Sequence, residues 1–121
     1  RYEISGDLSQ MCYSHCQMCR RAHGTPFSNY VALNPRDRRY TRGEELIARY
    51  QSSAEAVRTF CSRCGSKLEF QTTKTPDEIW IVSGTFDDDP GIRSTSHIYV
   101  ASKAPWFEIT DDLKQYPEES D

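Results

Sequence analysis

Five cysteines in two clusters constrain this chain more than any other feature. Cys12, Cys16 and Cys19 share one short stretch, and Cys61 and Cys64 form a separate C-x-x-C far downstream. A C-x-x-C sets two sulfurs on one tight turn, at a separation suited to one tetrahedral ion with Zn–S distances near about 2.3 Å. Cys61-Ser62-Arg63-Cys64-Gly65 is the sharper knuckle, because Gly65 frees the backbone to fold back and turn amide groups toward the thiolates. Disulfides and plain buried thiols are the alternatives. The odd count and the lack of a secretory pattern favour zinc over a disulfide. A redox C-x-x-C wants a thioredoxin-like βαβ context, which this sequence lacks.

The composition makes such a staple useful. The 121 residues have the length of one domain, 36% of them hydrophobic and 27% charged, so the expected core is thin. A domain of this size buries roughly two-thirds of its unfolded surface, and one poor in aliphatics often recruits a metal to fix its loops. The net charge of −3 offers no basic excess to grip a phosphate backbone, which disfavours nucleic acid as a partner. Apolar runs such as Ile79-Trp80-Ile81-Val82 are far short of the roughly 20 residues that cross a bilayer. Arg1-Tyr2-Glu3-Ile4 does not read as a secretory signal, so a cytoplasmic location is expected. A chain opening on Arg rather than Met suggests that upstream residues are missing.

Alternation and β-branched or aromatic enrichment mark strands at Tyr2–Ser5, Ser28–Leu33, Ile47–Gln51, Val57–Phe60, Lys67–Thr72, Ile79–Ser83 and Ser96–Ser102. The stretch His15–His23 lacks β-branched residues and stops at Gly24, which predicts the one short helical turn. Asp87-Asp88-Asp89-Pro90-Gly91 reads as a turn and Glu118-Glu119-Ser120-Asp121 as a solvated tail. A mainly β class follows, without βαβ alternation.

Three ordered segments carry a resemblance. They are Ser14-His15-Cys16-Gln17-Met18-Cys19-Arg20-Arg21-Ala22-His23-Gly24-Thr25-Pro26-Phe27, Arg58-Thr59-Phe60-Cys61-Ser62-Arg63-Cys64-Gly65-Ser66 and Ser96-His97-Ile98-Tyr99-Val100-Ala101-Ser102-Lys103-Ala104-Pro105-Trp106. From Arg1 to about Tyr116 the chain resembles the glutathione-dependent formaldehyde-activating enzyme (GFA) family, which centromere protein V resembles too. The resemblance implies a β-tent fold of coiled antiparallel β-sheets pinned by zinc, as a single GFA-like domain over residues 1–121. It also implies a structural zinc on Cys61 and Cys64 together with an N-terminal C-x-C that the chain as given lacks. A second, catalytic zinc takes a C-x-C-x-x-C whose last two members match Cys16 and Cys19. Ser14 stands at the first cysteine of that motif, and a hydroxyl that stays protonated is a poor zinc ligand. Cys12, two residues earlier on an extended strand, is the substitute third ligand, roughly 6–7 Å along the same face.

Histidine binds zinc or shuttles protons near neutral pH, so His15 and His97 are candidates, with a hydrogen-bonded structural role as the alternative for each. His23, just before Gly24, reads instead as the basic end of the helix. Arg20, Arg21, Arg93 and Lys103 suit the carboxylates of a peptide-like thiol, and Trp106 walls a pocket or anchors the fold. His97 joins Arg20, Arg21, Lys103 and Trp106 as an expected substrate-binding residue, whereas Arg36–Arg42 reads as a solvated face. The activity implied by the resemblance is a zinc-dependent carbon–sulfur lyase, similar to S-(hydroxymethyl)glutathione synthase, acting on the adduct of a glutathione-like thiol with formaldehyde or a small aldehyde. Cys16, Cys19 and His15 form its catalytic set. The rival expectation is a non-catalytic, zinc-stabilised binding module on the same scaffold.

Overall fold

The computed structural model describes residues 1–120, so the last residue of the expected tail, Asp121, lies outside the described residues. Two compact units emerge, Arg1–Ser9 with Val31–Asp87 and Gln10–Tyr30 with the described residues from Asp88 onward. The chain passes between them within one strand, β3 (Ser28–Leu33).

In the first unit, β1 (Tyr2–Ile4) pairs antiparallel with β4 (Arg38–Tyr40). A meander follows through β5 (Ile47–Gln51), β6 (Ala56–Cys61), β7 (Lys67–Thr72) and β8 (Ile79–Val82), each antiparallel to the next. Alternation along β8 buries Ile79 and Ile81 on one face, where they meet Leu33 and are covered by Tyr2, Ile4, Leu8 and Phe86. This cluster is as small as the composition predicts. The expected strands at 28–33, 47–51 and 67–72 match residue for residue. Arg38–Tyr40 was not foreseen, because its charged residues read as a solvated stretch.

Glu69 of β7 supplies the polar counterpart of this core. Its buried carboxylate accepts from Arg38 Nη2 at 2.9 Å, Tyr40 Oη at 2.9 Å and Gln71 Nε2 at 2.9 Å. Arg38 Nε lies 2.6 Å from the second oxygen, a charge contact without the alignment of a hydrogen bond. Burial first, and then the Glu69 charge, push the Tyr40 hydroxyl well above its ordinary range, so it remains a donor.

The second unit holds β2 (Gln10–Ser14), α1 (Gln17–His23), β9 (Ser96–Ile98) and β10 (Lys114–Gln115). Cys16 caps α1, its sulfur accepting from the Cys19 amide at 3.2 Å, and Gly24 closes the helix at φ 65°, a conformation open to glycine. The helix is shorter at its start than expected because His15 stays extended, its amide donating to Ile98 O at 2.9 Å.

Both β2 and β10 run parallel to β9. The expectation of wholly antiparallel sheets is therefore corrected to mixed ones. Some eighty residues separate β2 from β9, ample for the crossover that parallel pairing needs. The expected strand Ser96–Ser102 breaks after Ile98, where Tyr99 turns left-handed at φ 57° and a 3-10 turn, Val100–Ser102, follows. Tyr99 N donates to Glu118 O at 2.9 Å and Tyr99 Oη to Glu119 at 3.0 Å. These bonds hold the strained residue and tie down a segment that the sequence presents as a solvated tail. Among the described residues no helix is long and apolar enough to cross a membrane.

Glu69→Gln leaves Arg38 without its counter-charge in a poorly solvated place and is expected to cost about 3–5 kcal/mol in urea unfolding. Glu3→Gln breaks the exposed pair with Arg39 and is expected to cost at most about 1 kcal/mol in the same assay.

Candidate functional site

In the second unit, strand alternation divides consecutive residues between two sides. Cys12 and Ser14 are buried on one side of β2, while Tyr13 between them stacks on His97 with ring centroids 5.0 Å apart. A sulfur side and an imidazole side result.

On the sulfur side, the first turn of α1 brings Cys16 Sγ to 3.1 Å from Cys19 Sγ. Ser14 Oγ donates to Cys19 Sγ at 3.4 Å, and Tyr30 Oη, itself paired with His23 Nε2 at 3.1 Å, reaches the same sulfur at 3.9 Å. Cys19 is thus the acceptor on which the local donors converge. Cys12 is close enough for the Cys19 charge to act on it, and burial first, then that charge, raise its thiol to about 12. In the metal-free protein Cys12 is a thiol, not a thiolate. No disulfide joins any cysteine among the described residues.

Two thiolates on one tetrahedral zinc stand about 3.8 Å apart when each bond is about 2.3 Å. The Cys16–Cys19 pair needs only a small side-chain rotation to reach that spacing, so it fits half of a metal site. No three His, Cys, Asp or Glu side chains already stand at metal-holding spacing among the described residues. The hydroxyl of Ser14 occupies the neighbouring position.

His15 belongs to the other side. Its ring is fully buried, with Nε2 at 2.8 Å from His97 Nδ1, and His97 Nε2 meets the Asp111 carboxylate at 3.0 and 3.1 Å. Phe27 at 5.3 Å and Phe107 at 6.2 Å between ring centroids wall it in. Burial first, then His97, Lys103 and Arg20, lower its pKa to about 4, against a smaller opposing effect of Asp111. The His97 hydrogen bond holds Asp111 below the usual carboxylate range. Asp111, Tyr13, Phe27 and Tyr30 escaped the sequence reading. The Asp111-Asp112 pair looks like any solvated turn, and only β9–β10 pairing brings it beside His97.

Of the residues expected to bind substrate, Lys103 and Trp106 line an open recess of 510 Å³, with Pro105, Phe107, Glu108, Ile109 and Gln115. Lys103 Nζ donates to the carbonyls of Ala104 and Phe107 and keeps a third proton for a ligand. Trp106 is 71% exposed. Arg20, Arg21 and His97 are not part of the recess lining.

In the first unit, Cys61 and Cys64 form the hairpin loop joining β6 to β7, with Gly65 N donating to Cys61 O at 2.8 Å and Gly65 at φ 79°. Hydrogen bonding from Ser66, first through its side chain, holds the exposed Cys64 thiol below its ordinary range. The loop is a preformed knuckle in which Cys64 is exposed and Cys61 half-buried.

Residues 1–102 match the family of the glutathione-dependent formaldehyde-activating enzyme. This chain belongs to the GFA family. An uncharacterized lyase of Schizosaccharomyces pombe is 31% identical over 109 residues, spanning 83% of this chain and 77% of that protein. A Rhodobacter sphaeroides protein of known crystal structure shares the fold, with a TM-score of 0.60 at 22% identity over 76% of this chain and 81% of its own. The three segments that carry the resemblance fall on the α1 knuckle, the β6–β7 loop and the β9 turn.

Because His15 binds its proton less readily folded than unfolded, stability is fully present above its ordinary value of 6.5 and falls as the pH drops toward about 4. One proton allows a slope of at most about 1.4 kcal/mol per pH unit. His15→Gln is expected to flatten the wild-type urea-midpoint profile of the metal-free protein across this window.

Proposed function

We propose that this GFA protein is a zinc-dependent carbon–sulfur lyase acting on adducts of a glutathione-like thiol with formaldehyde or a small aldehyde. The observation that carries the reading is the Cys16–Cys19 sulfur pair, 3.1 Å apart within the stretch that matches the family. The family's description names glutathione and formaldehyde, and the fission-yeast relative is called a lyase.

In this reading Cys16 and Cys19 hold a zinc ion with Cys12 as the third thiolate, and Cys61 and Cys64 supply two ligands of a separate structural zinc that pins a β-tent fold. The bound zinc supplies Lewis acidity, lowering the pKa of a thiol and polarising a carbonyl. The rest is done by the chain. Cys12 gives up its proton on binding metal, which its elevated pKa opposes, so second-site affinity is modest and rises with pH. Ser14 and Tyr30 donate to Cys19 and stabilise its thiolate. Lys103 pairs with a carboxylate of the thiol carrier, and Trp106 covers its apolar stem. Arg20 and Arg21 add positive charge on α1. Holding thiol and aldehyde together in the recess is itself a large catalytic effect.

A second reading is favoured by Ser14, which stands where the resemblance expects a cysteine and donates its hydroxyl hydrogen to Cys19. On it, the protein is a non-catalytic binding module stabilised by zinc at Cys61 and Cys64 alone.

Zinc content per chain, measured on the natural full-length protein, separates the two. Two ions support the lyase and one the module. Ser14→Cys is expected to raise second-site affinity by more than the roughly 10-fold that outer-shell partners are worth, because a thiolate replaces a neutral hydroxyl. Cys61→Ser is expected to lower the melting temperature sharply, since a structural zinc contributes roughly 10–16 kcal/mol of apparent binding energy. Chelator then has little further effect on that variant. A Ser14→Cys protein whose second-site zinc affinity is no higher than that of wild type would sink the lyase reading.

A further inference from the structure

The imidazole side carries an arrangement that the metal reading does not use. Asp111 accepts at both oxygens and is itself fixed by the Leu113 amide, which donates to Oδ1 at 3.0 Å. A carboxylate only accepts, so His97 carries its proton on Nε2. In neutral His97 that leaves Nδ1 as a lone pair, and the 2.8 Å contact then requires His15 Nε2 to be the donor. His15 Nδ1 is left as a lone pair. That atom is buried and has no hydrogen-bond partner among the described residues. Phe107, which lines the recess, has its ring 6.2 Å from that of His15.

We propose that Asp111 and His97 are positioning residues that lock His15 in its Nε2–H tautomer, leaving Nδ1 as the hydrogen-bond acceptor for the hydroxyl of a hydroxymethyl-thiol adduct entering from the recess. The choice of ligand rests on the lyase reading, but the tautomer relay does not. A buried acceptor without a partner is costly, and a ligand O–H relieves that cost. The same atom therefore discriminates against thioethers of the same shape that lack the hydroxyl. Asp111, partly exposed at the far end, is 14 residues from His97 in sequence. The relay thus ties the C-terminal turn to the interior of the site.

Nitrogen-15 NMR of ring-labelled protein tests this directly. In the wild type, His15 is expected to show a pyridine-type Nδ1 and a pyrrole-type Nε2. A pyrrole-type Nδ1 overturns the relay without any variant. In Asp111→Asn the amide donates to His97 Nε2, so the protons along the chain reverse and a measurable fraction of His15 is expected to carry its proton on Nδ1. Asp111→Glu is expected to restore the wild-type pattern. An unchanged His15 signature in Asp111→Asn, with the backbone amide spectrum otherwise preserved, overturns the positioning role. Titration with glutathione plus formaldehyde, against S-methylglutathione as the hydroxyl-free control, is expected to shift His15 Nδ1 only with the adduct. A Nδ1 signal that stays put overturns the acceptor assignment, and if the Trp106 indole stays put as well, the adduct reading falls with it.

Discussion

Parallel pairing of β2 with β9 is the constraint on which the candidate site depends. The register sets Tyr13 beside His97 and Ser14 beside Ile98, and it carries on through the His15 amide, which donates to Ile98 O. Because successive side chains of a strand face opposite ways, one register decision places the thiols and the imidazoles on separate sides. A slip by one residue would exchange the two sets and remove both the Ser14–Cys19 and the His15–His97 contacts. β9 is also held on its other edge by β10, whose register sets Gln115 beside His97. The middle strand of three is the least free to shift.

The two cysteine turns solve the same local problem with different backbones. Cys16 and Cys19 use the start of a helix, where the Cys16 sulfur itself caps the Cys19 amide. Cys61 and Cys64 use a hairpin loop closed by left-handed Gly65. The first pair is hemmed in by Ser14, Tyr30 and the buried Cys12, and the second is more open, with Cys64 exposed and Cys61 half-buried. Burial raises the cost of the charged form of Cys12, whereas hydrogen bonds from Ser66 favour the thiolate at Cys64. Chemistry that needs a guarded sulfur belongs at the first turn, and a staple that must only close belongs at the second.

The first unit shows how a chain poor in aliphatics makes up for a small core. Leu33, Ile79 and Ile81 are the apolar centre, and the Glu69 carboxylate with Arg38, Tyr40 and Gln71 is its polar complement. The guanidinium also lies 4.4 Å from the Tyr40 ring centroid, so one arginine serves the carboxylate and the aromatic together. Such a network adds directional contacts that a thin apolar layer lacks. It is expensive to leave half-made.

Much of this was legible in the chain itself. Strands at 28–33, 47–51 and 67–72, the Gly24 stop, the two C-x-x-C turns and GFA membership all rest on short-range patterns of residue type, which neighbouring atoms enforce. Left-handed Tyr99, the strand Arg38–Tyr40 and the ordered Glu118–Glu119 segment carry no such local signature, because each depends on partners far along the chain. The same holds inside the site. Sequence alone determined which thiols share a turn, since three residues of backbone set that distance. Only the tertiary structure decided that Ser14 reaches Cys19 while His15 turns away to His97 and Asp111, because strand register and a contact spanning 82 positions lie beyond any local pattern.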